Sequence, residues 1–290
     1  MSELRKLVAE ELSLPVDPRV SAMAEAIAAR HEPASRAVLF YGSCLREREL
    51  EGRMLDFYLI VSDYRAAYAK RWLALANRLI PPNVFYFEKD GLSAKYAVLS
   101  EADFARECSP AARTVSTAAR FAQPSRLVWT ANERAAERAT EIVGQAVPSL
   151  LGWTLSAAPG NVTPLALWKR AFQLTFGAEL RAERTDRSAQ IVDADPERYE
   201  RFANGARMLV DDHAASGPRW WRSKQLKGKL YSIARLAKAS ATFSGGADYI
   251  AWKINRHAGT AIELKPWQRR HPLLAGITLL PRLLKSGAVR

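Results

Sequence analysis

Residues 38–62 read VLFYGSCLRERELEGRMLDFYLIVS and contain the pattern that decides the fold. Two apolar runs, AVLFYG (37–42) and MLDFYLIVS (54–62), predict neighbouring strands. Between them lie a Gly-Ser pair and a loop rich in Arg and Glu. Asp56 stands near the head of the second run, where a purely structural strand needs no carboxylate. The stretch therefore predicts a chemical site as well as a sheet.

The flanking segments predict the rest of a small mixed α/β sheet. Residues 1–31 have apolar positions at helical spacing, and 64–80 predict an amphipathic helix. The apolar positions of that second helix are Tyr68, Trp72, Leu75 and Leu79. Residues 83–100 predict a β-hairpin, because Asp90-Gly91 between two β-rich runs favours a tight turn. The predicted order is helix, strand, strand, helix, strand, strand.

Beyond about residue 101 the strand signals fade and helical patterns take over. The helix-like segments are 132–147, 164–184, 195–214 and 226–243. Thr163 is the expected N-cap of the second of these, with Pro164 at its first helical position. The sequence thus predicts an α+β fold in two parts, a mixed-sheet domain over 1–130 and a mainly helical C-terminal domain over 131–290.

The charge of the chain is concentrated at its end. The 290 residues are 48% hydrophobic, enough for a folded core, and carry a net charge of +13. Residues 213–290 hold 15 basic and 2 acidic side chains. Such a basic region predicts a polyanionic partner, either nucleic acid or an anionic membrane face. Composition alone leaves both open.

The remaining bulk features concern the cell compartment. Cys44 and Cys108 have no metal-binding spacing and make no disulfide framework, which favours a reducing compartment. The N-terminus lacks the apolar core of a secretory leader, and no window is long enough to span a bilayer. The short apolar segment 273–285, broken by Pro281, is interpreted as an interfacial segment, with a core helix as the alternative.

Strand, Gly-Ser, loop and an acidic residue on the next strand is the layout of nucleotidyltransferases. Gly42 lets backbone amides approach a triphosphate, and Ser43 adds a hydroxyl donor. Asp56 on the adjacent strand is expected to hold Mg²⁺ against the same phosphates. Tyr58 stands where many such enzymes have a second carboxylate, so another ligand is needed. The candidates are Asp63, favoured instead as a helix N-cap, and Glu88, favoured as an exposed strand residue.

Three blocks resemble the mitochondrial-type phosphatidate cytidylyltransferases, peripheral membrane enzymes that make CDP-diacylglycerol from CTP and phosphatidic acid. The blocks are YGSC (41–44) with MLDFYLIV (54–61), NVFYF (83–87) with AKYAVLS (94–100), and STAARFAQPSRLVW (116–129). The resemblance covers roughly residues 38–130. Cys44 and Ala97 stand where the family has glycines. Beyond that region, the chain is similar to the family only in being helical and ending in a basic region.

The resemblance implies a role for each site residue. It makes Asp56 a catalytic residue and the Mg²⁺ ligand, with Lys95 as a second catalytic residue. Nucleotide binding is assigned to Tyr41, Gly42, Ser43 and Arg120, where Lys95 and Arg120 face the phosphates of CTP or lipid. The implied partners are CTP, phosphatidic acid and an anionic membrane surface, with no stable nucleic-acid partner. The implied location is cytoplasmic, bound peripherally to the inner face of the cell membrane.

Two alternatives remain beside this hypothesis. Cations interleave with Trp220, Trp221, Trp252 and Trp267 in the rear region. Tryptophan favours a bilayer interface, but aromatic residues among cations also bind single-stranded nucleic acid by stacking. An RNA-directed or other small-substrate nucleotidyltransferase is therefore the main rival, and a non-enzymatic adaptor on the same fold is the third. The four histidines, His31, His213, His257 and His271, are assigned no catalytic role.

Overall fold

The fold is a mixed five-stranded sheet with helices on both faces, seen here in a computed structural model. The structure describes residues 2–47, 49–155, 157, 162–179, 187–210 and 217–242, together with 263, 265 and 266. The predicted segment 273–285, Trp252, Trp267 and three of the histidines (213, 257 and 271) lie outside these ranges. Among the described residues, every helix falls short of the length and apolarity that crossing a bilayer requires.

The strands are β1 Ser35–Tyr41, β2 Met54–Val61, β3 Asn83–Lys89, β4 Leu92–Ser100 and β5 Ser125–Thr130. Their order across the sheet is β3-β4-β2-β1-β5, with β2 and β4 parallel and every other pair antiparallel. The predicted mixed sheet is confirmed, as is the hairpin. Asp90 and Gly91 both have positive φ in its turn.

The helices of the first half are α1 Glu3–Ser13, α2 Pro18–Ala29, α3 Ser43–Glu47, α4 Tyr64–Ala67, α5 Arg71–Leu79, α6 Glu101–Cys108 and α7 Ser116–Phe121. Those of the second half are α8 Glu133–Gly144, α9 Ala146–Leu155, α10 Pro164–Phe176, α11 Arg187–Asp193, α12 Pro196–Ala206 and α13 Pro218–Thr242. The predicted helical character of the rear half is confirmed for its described residues. Thr163 caps α10 as predicted, accepting a hydrogen bond from the backbone N–H of Ala166 at 3.3 Å.

Three local predictions are wrong. Residues 1–31 form two helices, because Pro15 follows α1 and Asp17 caps a new start. The predicted helix 64–80 breaks at Tyr68, whose extended backbone turns the ring into the core. The fading of strand signals after 101 missed β5, a half-buried strand beside β1 at the edge of the sheet.

Two hydrophobic clusters fill the two faces of the sheet. One face packs on α2, α4 and α5 through residues such as Phe57 and Tyr96. The other packs on α1 and α6–α12, and its cluster continues from Leu39 and Tyr58 to Trp168 and Trp221. This second cluster joins residues from both predicted domains. The division near residue 130 stays a prediction.

His31 lies on the first of these faces, buried against the rings of Tyr68, Phe85 and Tyr96. Its Nδ1 lies 3.0 Å from the carbonyl oxygen of Ala67, and its Nε2 lies 3.1 Å from the hydroxyl of Tyr96. One donor and one acceptor suit a neutral imidazole. Burial, more than any nearby charge, lowers the pKa of His31.

This lowered pKa predicts a pH-dependent stability. Below the ordinary histidine pKa of about 6.5, the unfolded chain binds a proton that the folded chain resists. We therefore expect the free energy of unfolding to fall as the pH drops from 7.5 to 5. Urea unfolding at both values measures it, with His31→Gln as the comparison. An equal pH dependence in the variant would contradict the role of His31.

Candidate active site

One row of side chains crosses the sheet at the end where β1 finishes and β2 begins. The strand register places Tyr86, Lys95, Asp56, Tyr41 and Ser125 side by side on β3, β4, β2, β1 and β5. Because paired residues of neighbouring strands share a face, all five belong to one face of the sheet. It is the face that packs on the rear helices. The sheet thus brings together Tyr41, Asp56 and Lys95, which the sequence had placed on three separate segments.

Asp56 and Lys95 form the centre of this row. They are direct neighbours on the parallel strands β2 and β4, and the Nζ of Lys95 lies 3.0 Å from the Oδ1 of Asp56. Their side chains are 18% and 27% exposed, respectively. An ion pair that is partly shielded from water interacts more strongly than one on the open surface. The pair is therefore a fixed, solvent-reachable dipole at the end of the sheet.

Gly42 leaves the approach to Asp56 open. It has a φ of +97°, a backbone conformation that L side chains rarely adopt. A Cβ atom at this position would lie 2.9 Å from the Oδ2 of Asp56. Any other residue would therefore press on the carboxylate. After this turn Ser43 begins the short helix α3 and lies half-buried beside the row.

Arg120 reaches the site from the helical side. It lies on α7, where its guanidinium donates to the Ser116 carbonyl at 3.0 Å and pairs with Glu179 at 3.0 Å. Burial opposes its charge, but the negative charges of Glu179 and then Asp56 act against this, and the pKa of Arg120 is raised. Arg120 therefore stays a cation within electrostatic range of Asp56.

Aromatic rings close the inner end of the site. Tyr58 is buried, with ring centroids 5.4 Å from Tyr41 and 5.2 Å from Phe121. A carboxylate at this position would be buried in an apolar cluster at a high desolvation cost, so the surroundings favour tyrosine over a second acidic residue. Burial and the charge of Asp56 raise the pKa of Tyr41 well above its usual range. Its phenol is therefore protonated and can donate a hydrogen bond.

Asp63 and Glu88 have the structural roles that the sequence favoured for them. Asp63 is the N-cap of α4, accepting hydrogen bonds from the backbone N–H of Arg65 at 2.8 Å and of Ala66 at 3.0 Å. It is seven residues along the chain from Asp56, roughly 23 Å in an extended strand. Glu88 is exposed on the edge strand β3 and pairs across the ladder with Ser93. Neither residue shares a ligand position with Asp56.

The side chains at the site fit a magnesium ion that takes few of its ligands from the protein. Within the described part of the chain, no three His, Cys, Asp or Glu side chains come together as a metal-binding group. Mg²⁺ commonly binds one or two carboxylates and takes its other ligands from substrate phosphates and water. Asp56, with its Oδ2 facing the open side of Gly42, matches that simpler requirement.

Two residues near the site were not foreseen from the sequence. Glu179, just beyond α10, orients Arg120. Arg235, on α13, donates from its Nε to the Pro81 carbonyl at 2.7 Å, and the charges of Arg120 and Glu179 act on it. Both come from more than fifty residues beyond Arg120 in the chain. Only the packing of the rear helices on the sheet brings them here.

Comparison with solved structures gives a distant likeness. No protein family and no curated protein matches the chain. Among solved structures, it is similar to a nucleotidyltransferase-like protein from Exiguobacterium sibiricum, at 9% identity and a TM-score of 0.29, over 92% of each chain. A TM-score this low does not establish a shared fold. The interpretation of the site therefore depends on its own geometry.

Proposed function

We propose that this chain is a nucleotidyltransferase that moves CMP from CTP to phosphatidic acid, giving CDP-diacylglycerol and pyrophosphate. The observation that carries the proposal is the arrangement at the end of the sheet. Asp56 pairs with Lys95 at 3.0 Å, and the glycine beside them has no Cβ to block the carboxylate. An acidic group, a cation and an open backbone turn are what a triphosphate site requires.

Each side chain of the row has a part in holding the nucleotide. The turn at Gly42 admits phosphate oxygens to the backbone, and the hydroxyl of Ser43 adds a donor. Lys95 and Arg120 supply positive charge near Asp56. The protonated phenol of Tyr41 adds a neutral donor. Together they position the phosphates and offset their negative charge, which is most of what phosphoryl transfer requires of a protein.

Asp56 would hold the magnesium ion. When bound, the metal supplies neutralisation of the charge that develops on the departing pyrophosphate. Lys95 then has two tasks, because it balances the charge of Asp56 without nucleotide and would contact phosphate when the carboxylate of Asp56 holds the metal.

The proposed acceptor needs no strong general base. A phosphate monoester is largely ionised near neutral pH, so its oxygen can attack the α-phosphorus of CTP directly. A bond forms between the acceptor oxygen and the α-phosphorus of CTP. The bond between the α-phosphorus and the oxygen that bridges to the β-phosphorus breaks, and pyrophosphate leaves. His31, the one histidine in the described residues, packs on the opposite face of the sheet from Asp56. Among the described residues the site contains no histidine, which suits such an acceptor.

A lipid acceptor is supported by the basic, partly apolar rear half and by the resemblance in residues 38–130. It implies a protein that docks peripherally on the anionic inner face of a membrane. The prediction that Trp221 contacts a membrane or a nucleic acid is wrong. Its side chain is buried and donates a hydrogen bond to the Trp153 carbonyl at 2.9 Å. Trp220 packs on the same two rings. The packing of these two tryptophans therefore supports neither a bilayer-interface contact nor a stacking platform for nucleic acid.

The test supplies purified protein with Mg²⁺, CTP labelled in its α-phosphate, and phosphatidic acid in mixed micelles. We expect label to enter a chloroform-soluble product in amounts that match released pyrophosphate. Omission of Mg²⁺ or replacement of phosphatidic acid by diacylglycerol should remove the product. Label that enters added RNA but no lipid would refute the lipid substrate and support the RNA-directed alternative.

A further inference from the structure

Two guanidinium groups from distant parts of the chain lie on the helical side of the candidate active site. Arg120, on α7, forms an ion pair with Glu179 at 3.0 Å. Arg235 lies on the inner side of α13, and the charges of Arg120 and Glu179 both act on it. We call these three side chains the Arg120–Arg235 cluster.

The packing of α13 explains why Arg235 reaches this cluster. Gly228 of α13 lies against the residue before Glu179, where a Cβ atom would be 2.2 Å from the Ala178 carbonyl oxygen. Arg235 follows Gly228 by about two helical turns, so both lie on the same side of the helix. Its guanidinium carbon is 5.7 Å from the ring centre of Tyr231, one turn nearer to Gly228. The side chain therefore leans along α13 in the direction of Gly228 and the contact beside Glu179.

The guanidinium of Arg235 is held through one of its nitrogens. Its Nε donates to the Pro81 carbonyl at 2.7 Å, which fixes the orientation of the planar group. Among the residues that the structure describes, its two Nη atoms donate no hydrogen bond and no carboxylate pairs with it. The two Nη groups of an arginine form a fork that matches two oxygens of a phosphate. The fork of Arg235 is therefore available to an anion.

The surroundings of Arg235 are short of negative charge. Burial opposes the charge of Arg120, but Glu179 outweighs it and the pKa of Arg120 is raised. At Arg235 burial prevails and the pKa is lowered, although Glu179 and, to a smaller extent, Glu107 act against it. One turn further along α13, burial and the charge of Arg235 lower the pKa of Lys238 to about 7. An added anion would stabilise both cations of α13.

The cluster lies beside the position proposed for the nucleotide phosphates. Tyr58 is the ionisable side chain that acts most strongly on Arg235, and it acts on Arg120 as well. It lies on the same face of β2 as Asp56, two residues and roughly 7 Å further along the strand. A ligand at the cluster would therefore lie next to a phosphate held at Asp56 and would not occupy the same place.

We propose that the Arg120–Arg235 cluster binds the phosphate monoester of the acceptor, which displaces the Glu179 carboxylate from Arg120 and engages the fork of Arg235. The proposal rests on the proposed function, because it adds an acceptor site to the nucleotide site at Asp56. Glu179 holds the site as an internal anion until the acceptor arrives. A phosphate monoester carries nearly two negative charges and three acceptor oxygens, so it can serve both guanidinium groups where one carboxylate serves Arg120.

The acceptor fits this cluster better than a second part of the triphosphate does. In-line displacement places the attacking oxygen and the departing pyrophosphate on opposite sides of the α-phosphorus. The Gly42 turn and Asp56 are proposed to hold the triphosphate, so the acceptor phosphate must approach from another direction. Two guanidinium groups there would offset the repulsion between the two anions, which otherwise opposes their approach.

The first test is a phosphorus NMR titration of the full chain with glycerol 3-phosphate, a water-soluble phosphate monoester, without CTP or metal. We expect Arg235→Gln to weaken binding at least about tenfold, because charged hydrogen bonds are lost. Glu179→Gln should strengthen binding, since the internal competitor loses its charge. Arg222→Gln is the matched control, an exposed cation on the same helix, and should bind as wild type does. Unchanged binding in Arg235→Gln would overturn the proposal.

A stability measurement keeps the test decisive if Glu179→Gln unfolds more easily. Loss of this carboxylate leaves two partly buried cations without their counter-charge. Glycerol 3-phosphate should therefore raise the melting temperature of Glu179→Gln more than that of wild type, and potassium chloride at equal ionic strength should not. The double variant Glu179→Gln with Arg235→Gln should lose this additional rise. An equal rise with chloride, or an undiminished rise in the double variant, would contradict the proposal.

Kinetics separate this proposal from the proposed function. In transfer of CMP to a short-chain, water-soluble phosphatidic acid, Arg235→Gln should raise the KM for the lipid at least about tenfold and leave the KM for CTP near the wild-type value. Glycerol 3-phosphate should inhibit in competition with the lipid and not with CTP. A raised KM for CTP instead would assign the cluster to the triphosphate and overturn the proposal. If wild-type protein binds glycerol 3-phosphate through Arg235 and transfers no CMP, the proposed function fails while the phosphate site stands.

Discussion

Asp56→Asn is expected to remove nucleotidyl transfer while leaving the fold intact. Asparagine keeps the shape of the side chain beside Gly42 but loses the charge that pairs with Lys95 at 3.0 Å and would hold magnesium. Metal-based charge stabilisation contributes several kcal/mol to a transition state, so we expect the rate to fall by about 100-fold or more. Initial rates of CMP transfer at saturating CTP measure the effect.

The matched control is Asp63→Asn. This residue is also an aspartate beside β2, but it caps α4, and asparagine caps a helix about as well as aspartate does. We expect its activity and melting temperature to stay close to wild type. Equal activity of the Asp56 variant and wild type would refute the catalytic role of Asp56. A large loss in the Asp63 variant would instead restore it as a ligand.

The core of the candidate site could be predicted because it depends on local patterns. Alternation along a strand places Asp56 on a defined face, and a Gly-Ser pair after a strand indicates a turn with an open backbone. The likeness of short blocks added Lys95 and Arg120. The structure then places Asp56 and Lys95 on adjacent parallel strands, a pairing that no local pattern specifies.

The parts of the site that the sequence did not predict depend on contacts between segments that are distant in the chain. Glu179 and Arg235 are brought to the site by rear helices, and nothing in their own neighbourhoods indicates a phosphate site. Helix α9 was missed because it is apolar and buried on nearly every side, which removes the 3.6-residue period. Within α5 the helical spacing of the apolar residues was predicted correctly. That spacing shows that an apolar face exists, but it does not show which part of the protein covers the face.

A buried ion pair between α1 and α12 gives the largest expected effect on stability. Arg198 donates to both carboxylate oxygens of Glu11, one at 2.9 Å, and also to the Ala122 carbonyl at 3.2 Å. Its guanidinium lies 4.2 Å from the ring centre of Phe202. Burial opposes the charge, but the hydrogen bonds to Glu11 raise the pKa of Arg198. The pair fixes a rear helix to the first helix and to the end of α7.

Glu11→Gln should lower the free energy of unfolding by about 3–5 kcal/mol, because it leaves a buried guanidinium without its counter-charge. Urea unfolding followed by circular dichroism measures this loss. Glu10→Gln is the matched control on the same helix. Glu10 is exposed and faces Arg201 at 3.8 Å, so its loss should cost less than about 1 kcal/mol. Similar small losses of unfolding free energy in both variants would contradict the stabilising role of the buried pair.

The double variant Glu11→Leu with Arg198→Met separates the pair's net contribution from the cost of breaking it. Two charges removed together leave no uncompensated charge, and apolar residues of similar volume often replace a buried pair with little loss. We expect the double variant to regain most of the stability lost in Glu11→Gln. If it does, the pair serves to fix how α12 meets α1 more than to stabilise the fold. CMP transfer should then fall only if that contact is needed to hold Arg120 on α7 beside Asp56.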